Sequence, residues 1–152
     1  MFAASFAPAL RRITTRGAGW LAPPDIDEYR QFAPRIREQW RQQGRSGEPY
    51  LVATRKYALG SDAVEALDRV TRHYYSFAGP ELIESLIAQA MTTPERINAA
   101  INAYEEAGCD ELVFLSQHDA PEQVERLADI VIDRLDQKHQ RTERDMMSAM
   151  VE

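Results

Sequence analysis

The chain has 152 residues, enough for one domain with a real core but well short of the roughly 250 residues of an eight-stranded βα barrel. Its formal net charge of −6 argues against the phosphate backbone of a nucleic acid as the main partner, and no apolar run approaches the ~18 residues of a membrane span. A single cysteine, Cys109, excludes an internal disulfide and a cysteine-built metal site, and it is typical of a reducing cytoplasm.

The beginning of the chain predicts a strand stub, a helix and a short strand. Residues 1–3 form the stub, and Ser5 is placed to cap a helix that ends at Gly17. Residues 19–22 then form a short apolar strand, which Pro23 closes.

A capping box of Asp25 and Glu28 predicts the start of a second helix, which we expect to continue to Gly44. Pro34 is expected to kink this helix or split it in two. The stripe that we expect it to bury comprises Tyr29, Phe32, Ile36 and Trp40.

Charge is unevenly distributed along the chain. Residues 1–24 contain Arg11, Arg12 and Arg16 and no acid, which fits either an organelle transit peptide or the solvent face of a surface helix. The stretch 110–136 carries eight acids against two arginines, and we expect it to supply the solvated face of the last helix.

Residues 50–59 form the longest predicted strand. Both of its faces are partly apolar, so we expect both to be covered. Arg55 and Lys56 must point to opposite faces, so one of them points into the sheet or barrel. That inward cation can meet a phosphate or an acidic partner, or it can pair with a neighbouring carboxylate.

Two further helices follow this strand. Ser61 or Asp62 can cap the first, and the break at Gly79-Pro80 starts the second. The stripes that we expect to be buried are Val64, Leu67, Val70 and Tyr74 in the first helix and Leu82, Ile83, Leu86 and Ile87 in the second.

The most informative feature of the chain is a tight return from helix to strand. Thr92 or Thr93 can cap a helix whose first turn suits Pro94. Gly108 supplies its left-handed stop, and the apolar run 112–115 follows at once. Because this run is too short for a helix, it predicts a strand buried on both faces.

A last capping box, of Asp119 and Glu122, predicts the final helix. No stop signal follows residue 138, so we divide the chain into a domain at 1–138 and a C-terminal tail at 139–152 that frays. The residues that this helix is expected to bury are Val124, Leu127, Ala128, Val131 and Leu135.

Strands that alternate with helices, without two-residue hairpin turns, predict an α/β fold with parallel strands and helices on the outside. We expect Trp20, Val52, Val113 and Leu115 to be largely buried in it.

His118 is the candidate catalytic residue. It follows the last strand directly, at the end of a parallel sheet where barrels place their active residues, and a histidine beside Asp119 can serve as a general base. The alternative is that Asp119 serves only as the helix cap. No residue spacing fits a metal site.

An aromatic segment, residues 73–77, is the second candidate. It can line a ligand pocket, but the commoner arrangement places Tyr74 and Phe77 in the core and leaves His73 in solvent.

Four short motifs occur in order along the chain. They are Ala7–Ile13 followed by Gly17–Trp20, Gly44-Arg45 before the strand at 50–59, Thr92–Glu95, and Ala107–Leu112. In this order they resemble the C-terminal half of the luciferase-like flavin- or deazaflavin-dependent oxidoreductases. The resemblance implies a partial, half TIM barrel made of the later βα units.

The resemblance also implies FMN or its deazaflavin analogue as the cofactor. The family holds the cofactor phosphate at a glycine-rich turn, which corresponds here to Ser5, Phe6 and Ala7 preceded by alanines. Lys56 and His118 are then expected near the ring or the substrate. The family's other flavin contacts and its usual catalytic histidine lie upstream of the matching motifs, so we expect weak binding at most.

The resemblance therefore predicts a truncated luciferase-like oxidoreductase domain of the monooxygenase type, weakly active or inactive alone. The alternative is a non-catalytic half-barrel that serves as a binding or assembly module, or one half of a two-chain enzyme. Because half of a barrel leaves open sheet edges, we expect a homodimer or a heteromer with an upstream-half chain.

Overall fold

The computed structural model describes the backbone of residues 2–3 and 7–149 and the side chains of residues 10–144 and 146–147. Within these ranges the chain forms one parallel sheet with six helices. The elements are β1 (Phe2–Ala3), α1 (Ala7–Arg16), β2 (Gly19–Ala22), α2 (Ile26–Gln42), β3 (Tyr50–Tyr57), α3 (Ala63–Tyr74), α4 (Pro80–Gln89), α5 (Pro94–Glu106), β4 (Glu111–Ser116) and α6 (Glu122–Ala149).

The described strands stand in chain order, β1-β2-β3-β4, and neighbouring strands are parallel. The longest pairing joins β3 to β4, in register from Val52 opposite Glu111 to Tyr57 opposite Ser116. The predicted α/β fold is confirmed, and so is the burial of Trp20 and Val52.

The main core lies between one face of the sheet and the helices α1, α2 and α5. Trp20 stacks on Tyr29 at 5.4 Å between ring centroids, and Tyr104 meets Tyr29 edge-on at 5.2 Å. Such ring pairs stabilise a core beyond the area that they bury. The fully or nearly buried members are Leu10, Ile13, Trp20, Ala22, Tyr29, Ala33, Ile36, Leu51, Ala53 and Tyr104.

The predicted stripe of α2 faces this core, but the expected split at Pro34 is wrong, since α2 runs as one helix through it. Pro34 is exposed, whereas the stripe residues Tyr29, Ile36 and Trp40 are buried. Packing of that stripe on both sides of the proline holds the helix together despite the missing N–H.

The ends of α5 follow the sequence signals. Thr93 is the cap and accepts a hydrogen bond from the Arg96 N–H at 3.3 Å, with Pro94 in the first turn. Gly108 has φ +72°, the left-handed conformation that ends the helix and that favours glycine.

The strand β4 is less buried than the sequence predicts. Val113 is half-buried, and Leu115 is 42% exposed, so the expectation of a strand covered on both faces is wrong. The described residues pair β4 with β3 alone. An apolar run shows which residues can be buried, but β4 is an edge strand and has no neighbour on its far side here.

The final helix differs from its prediction in the same way. Of its predicted stripe, Leu127 and Val131 are half-buried, whereas Val124, Ala128 and Leu135 are exposed. The helix also continues to Ala149, through the segment that was expected to fray.

The predicted stripe of α4 is largely confirmed, whereas that of α3 is confirmed only in part, at the buried Leu67 and the half-buried Val70. In α3, Val64 and Tyr74 are exposed, because the helix packs through smaller side chains at adjacent positions on its surface. Its buried residues are Ala63, Ala66, Leu67 and Thr71. In α4, Ile83 is buried and Leu86 and Ile87 are half-buried, but Leu82 is exposed.

Candidate functional site

The carboxyl ends of β3 and β4 lie side by side, because the two strands are parallel and adjacent. This edge therefore brings together the segment 58–62, which follows β3, and the segment 117–120, which follows β4. It is the edge at which parallel barrels hold their active residues.

His118 joins these two segments. Its side chain is only 11% exposed, and its Nε2 lies 3.1 Å from Oδ2 of Asp62. The Ala120 N–H donates to Nδ1 at 3.0 Å, so Nδ1 is an acceptor and the proton of the neutral ring is on Nε2, which donates to Asp62. Asp119 also approaches Nδ1, at 3.4 Å, but that nitrogen already accepts the Ala120 N–H.

Both ring nitrogens of His118 therefore have partners. The hydrogen bond from His118 lowers the pKa of the Asp62 carboxyl. Asp62 does not cap α3 with its side chain, and no hydrogen bond links Asp119 to the described backbone of α6. In this position His118 links the loop after β4 to the loop after β3 through its hydrogen bond to Asp62. Its Nδ1 can accept a proton only when the hydrogen bond from the Ala120 N–H is broken.

Lys56 is the cation that lies on the inner face of the sheet, the face turned away from the main core. Its neighbours Arg55 and Tyr57 point to the helix-covered face. The half-buried Lys56 Nζ donates to the Tyr75 hydroxyl at 3.0 Å and lies 4.2 Å from the centroid of the Tyr75 ring. No described carboxylate forms an ion pair with it.

Arg55 has a structural position instead. Its guanidinium donates to the backbone carbonyl of Gln89 at 2.7 Å and to that of Pro24. It thus ties the loop after β2 to the end of α4. Both of its partners are backbone carbonyls.

The aromatic segment 73–77 lies partly over Lys56 and largely outside the core. Tyr75 contacts Lys56, but Tyr74 is exposed and Phe77 is 82% exposed, so their expected burial in the core is wrong. Tyr74 and Tyr75 pack edge-on at 4.8 Å between centroids. The apolar residues of this turn pack on one another because α3 has already ended at Tyr74.

Sequence patterns did not indicate the most buried polar residue of this edge, Gln123. Its Oε1 accepts from the Leu59 N–H at 2.8 Å, and its Nε2 donates to the Leu59 carbonyl at 2.7 Å. Arg126 donates to the same carbonyl at 2.5 Å. A glutamine in the first turn of a helix is too common to signal such a bond to a distant loop.

The predicted phosphate site lies largely outside the described residues. Ser5 and Phe6 lie outside the described residues, and Ala7 is described only as the first backbone position of α1. Lys56 and His118 lie at the ends of neighbouring strands, but they contact different partners, Tyr75 and Asp62 respectively.

A surface groove of about 700 Å³ lies between α5 and α6. Glu105 bridges Arg134 and Lys138 within it, at 2.7 and 2.5 Å. Ion pairs between the two helices therefore cross this groove.

In the described part of the chain, no three His, Cys, Asp or Glu residues are grouped so that they could hold a metal ion. None of the described helices combines the length and apolar character that crossing a membrane requires.

Comparison with known proteins gives a family and a fold. A family model described as luciferase-like monooxygenase matches residues 1–142. No functionally curated protein matches the sequence.

Several solved structures are similar. They include an EDTA monooxygenase from Chelativorans sp. BNC1 (TM-score 0.59, 16% identity, 90% of this chain and 43% of that chain). A long-chain alkane monooxygenase has a TM-score of 0.62 and 15% identity, and the match covers 90% of this chain and 40% of that chain. An F420-dependent secondary alcohol dehydrogenase was solved in complex with an F420-acetone adduct. It has a TM-score of 0.56 and 14% identity, and the match covers 78% of this chain and 42% of that chain.

At these identities the likeness shows the fold alone, which is a partial TIM barrel. The chain spans about two-fifths of the length of these structures, between 40% and 43%.

Proposed function

The chain belongs to the luciferase-like monooxygenase family, and from that premise we propose that it is a flavin- or deazaflavin-dependent oxidoreductase domain of the monooxygenase type. Family membership supports the reaction class. Within the structure, the observation that carries the proposal is Lys56, a half-buried inward cation at the carboxyl end of β3 without a carboxylate partner.

Lys56 fits an anionic or electron-rich part of such a cofactor or of a substrate. An ammonium group has three N–H donors, and Tyr75 accepts only one. The Tyr75 ring and hydroxyl hold the ammonium in place, so that its remaining donors are directed before a ligand arrives.

The other proposed contacts are Ser5, Phe6 and Ala7 at the phosphate and His118 near the ring or substrate. When bound, the cofactor would supply hydride transfer or oxygen activation. His118 would hold the loop after β4 against Asp62, and would accept a proton at Nδ1 after releasing the Ala120 N–H. This proton step makes His118 the proposed catalytic residue.

FMN and F420 titrations into the purified chain test the cofactor proposal. Because one of the similar structures is F420-dependent, both ligands are needed. We expect saturable but weak binding to the chain alone, with a Kd above about 1 μM. Failure of both ligands to bind even at millimolar concentration would exclude the proposal, whereas submicromolar binding with turnover would show that the chain is a competent enzyme by itself.

A matched pair of variants tests the role of Lys56. Lys56→Met should weaken the binding of the preferred ligand by about tenfold, because a charge-assisted contact is lost. Lys138→Met removes the same charge from an exposed position on α6 and should leave the affinity unchanged. Equal affinities for all three proteins would show that Lys56 does not contact the ligand.

The second candidate is a non-catalytic half-barrel that acts as a binding or assembly module, or as one half of a two-chain enzyme. The alanines Ala3 and Ala4, which stand where the resemblance leads us to expect glycines, favour it because they restrict close approach of a phosphate. Under either function we propose a homodimer or a heteromer with an upstream-half chain, and a location in the cytoplasm on the ground of the lone Cys109.

A further inference from the structure

The helix α6 carries large apolar side chains that no described residue covers. Leu127 and Ile130 of this helix pack into the core beneath it, and Arg134 reaches Asn102 and Glu105 of α5. Val124 and Leu135 lie on a different side of the same helix and are 69% and 48% exposed.

The exposed Val124, Ala128 and Leu135 form a stripe together with the half-buried Val131. Val124, Ala128, Val131 and Leu135 follow one another at intervals of four, three and four residues, which places them on one side of the helix. A stripe of this spacing is the pattern of a helix that packs against another helix. Leu115 of the edge strand β4 is exposed as well, on the face of the sheet opposite α6.

A row of acids lies on the outer side of α6, between the stripe and the groove that Asp129 lines together with α5 residues. Glu125 and Asp129 are exposed and one turn apart, and Asp136 continues the row. None of the three forms an ion pair with any described residue. A helix that docks on the stripe would meet this row along its outer border.

The helix at the opposite edge of the sheet carries the complementary charge. On α1, Arg12 and Arg16 are exposed, one turn apart and without an ion pair among the described residues. They flank the buried Ile13 on the side away from Thr14, the residue through which α1 contacts Gln43 just after α2. They therefore border the free side of α1.

We propose that the stripe and acidic row of α6 dock α1 of a second copy of this chain, with β4 pairing in parallel with the β1 of that copy. The strands stand in order β1-β2-β3-β4 with both outer edges unpaired in the described residues, so the same contact made twice around a two-fold axis yields eight strands. Eight parallel strands with helices outside are the number that closes a βα barrel. Arg12 and Arg16 of each chain then meet Glu125 and Asp129 of the other.

This inference rests on the assembly proposed above and names its partner and its contacts. The test contains no flavin, so failure of the dimer and failure of cofactor binding are separate results. It compares the masses of purified chains by light scattering across micromolar concentrations, with circular dichroism to establish that each variant is folded.

The variants exchange charge on one helix at a time. The wild type should have twice the mass of one chain. Arg12→Glu with Arg16→Glu, or Glu125→Lys with Asp129→Lys, places like charges opposite each other and should raise the dimer dissociation constant more than tenfold. Arg11→Glu with Arg69→Glu changes the net charge as the exchange at Arg12 and Arg16 does, but at exposed positions outside the proposed contact, and should leave the dimer intact.

Mixing the two charge-exchanged proteins gives the decisive result. In the mixed pair, the acidic α1 meets the basic α6, and the unmodified α1 meets the unmodified α6, so both contacts are attractive and a dimer of one chain of each kind should form. A monomeric wild type, a dimer indifferent to the exchanges, or variants that do not recover on mixing would overturn the proposal. So would a chain that remains monomeric alone and pairs only with an added N-terminal half-barrel.

Discussion

At the scale of single residues, Gln123 shows how a polar side chain can fix the carboxyl edge of the sheet. It is 1% exposed and satisfies both the N–H and the carbonyl of Leu59, in the loop that follows β3. Its own backbone carbonyl accepts from the Tyr57 hydroxyl at 3.1 Å. The first turn of α6 is thereby bound to the end of β3 by three hydrogen bonds.

Gln123→Ala should destabilise the chain by about 1–3 kcal/mol, because it leaves the buried Leu59 N–H without a partner and leaves the Leu59 carbonyl with Arg126 alone. Urea unfolding of the wild type and the variant measures the free energy difference. Gln140→Ala, an exposed position further along α6, is the matched control and should change it by less than about 0.5 kcal/mol. An equally small effect of both substitutions would show that water replaces the Gln123 contacts.

At the scale of elements, α5 and α6 are joined by ion pairs as well as by apolar contact. Glu105 accepts from Lys138 and from Arg134, and the hydrogen bond from Lys138, ahead of that from Arg134, lowers the pKa of the Glu105 carboxyl. Because the folded pKa lies below the unfolded one, the contribution to stability is present above the unfolded value and is lost as the pH falls.

Glu105→Gln should therefore destabilise the chain at pH 7 by no more than about 1 kcal/mol, since the pairs are largely exposed. The difference from the wild type should begin to shrink as the pH falls below about 4.3, the ordinary pKa of glutamate, and should vanish only once the pH is below the lowered folded pKa. It should also shrink at high salt. Denaturant unfolding at several pH values measures it. The neighbouring Glu106→Gln, which removes an exposed acid without an ion pair among the described residues, should show no such dependence, and a pH-independent effect of Glu105→Gln would contradict the assignment.

The elements also show what the sequence can and cannot predict. Caps, stops and strand positions depend on residues near one another in the chain, so Thr93, Gly108 and the parallel order of the strands were predicted correctly. The burial of a side chain depends instead on which distant element packs against it. Leu115 and Val124 belong to apolar patterns that permit burial, and they are exposed because none of the described residues covers them.

The candidate site was predictable to the same extent. The positions of Lys56 and His118 at the strand ends follow from the strand boundaries, which local patterns give. Their partners, Tyr75 and Asp62, are 19 and 56 residues away in sequence, and no local pattern specifies such contacts. The roles of Arg55 and Gln123 were missed for the same reason.

At the scale of the whole molecule, the fold supplies half of the strands that a βα barrel needs. The described residues cover one face of the sheet with α1, α2 and α5, and they leave the far edge of β4 and the apolar stripe of α6 in solvent. Unpaired edges and large exposed apolar surfaces favour association. The stability of this chain should therefore depend on its own concentration.

A dimer that unfolds to two separate chains is stabilised by mass action, so its unfolding temperature rises with concentration, whereas that of a monomer does not. For a pair of chains of this length, a tenfold increase in concentration should raise Tm by roughly 2 °C. Calorimetry over two decades of concentration should therefore show a steady rise in the Tm of the wild type. The Tm of the Arg12→Glu, Arg16→Glu protein should not change with concentration. The equimolar mixture of the two charge-exchanged proteins should regain the slope of the wild type, because both of its helix contacts pair opposite charges. A wild-type Tm independent of concentration would mean that the open edge of β4 and the stripe of α6 are stable in water, and that the half-barrel stands alone.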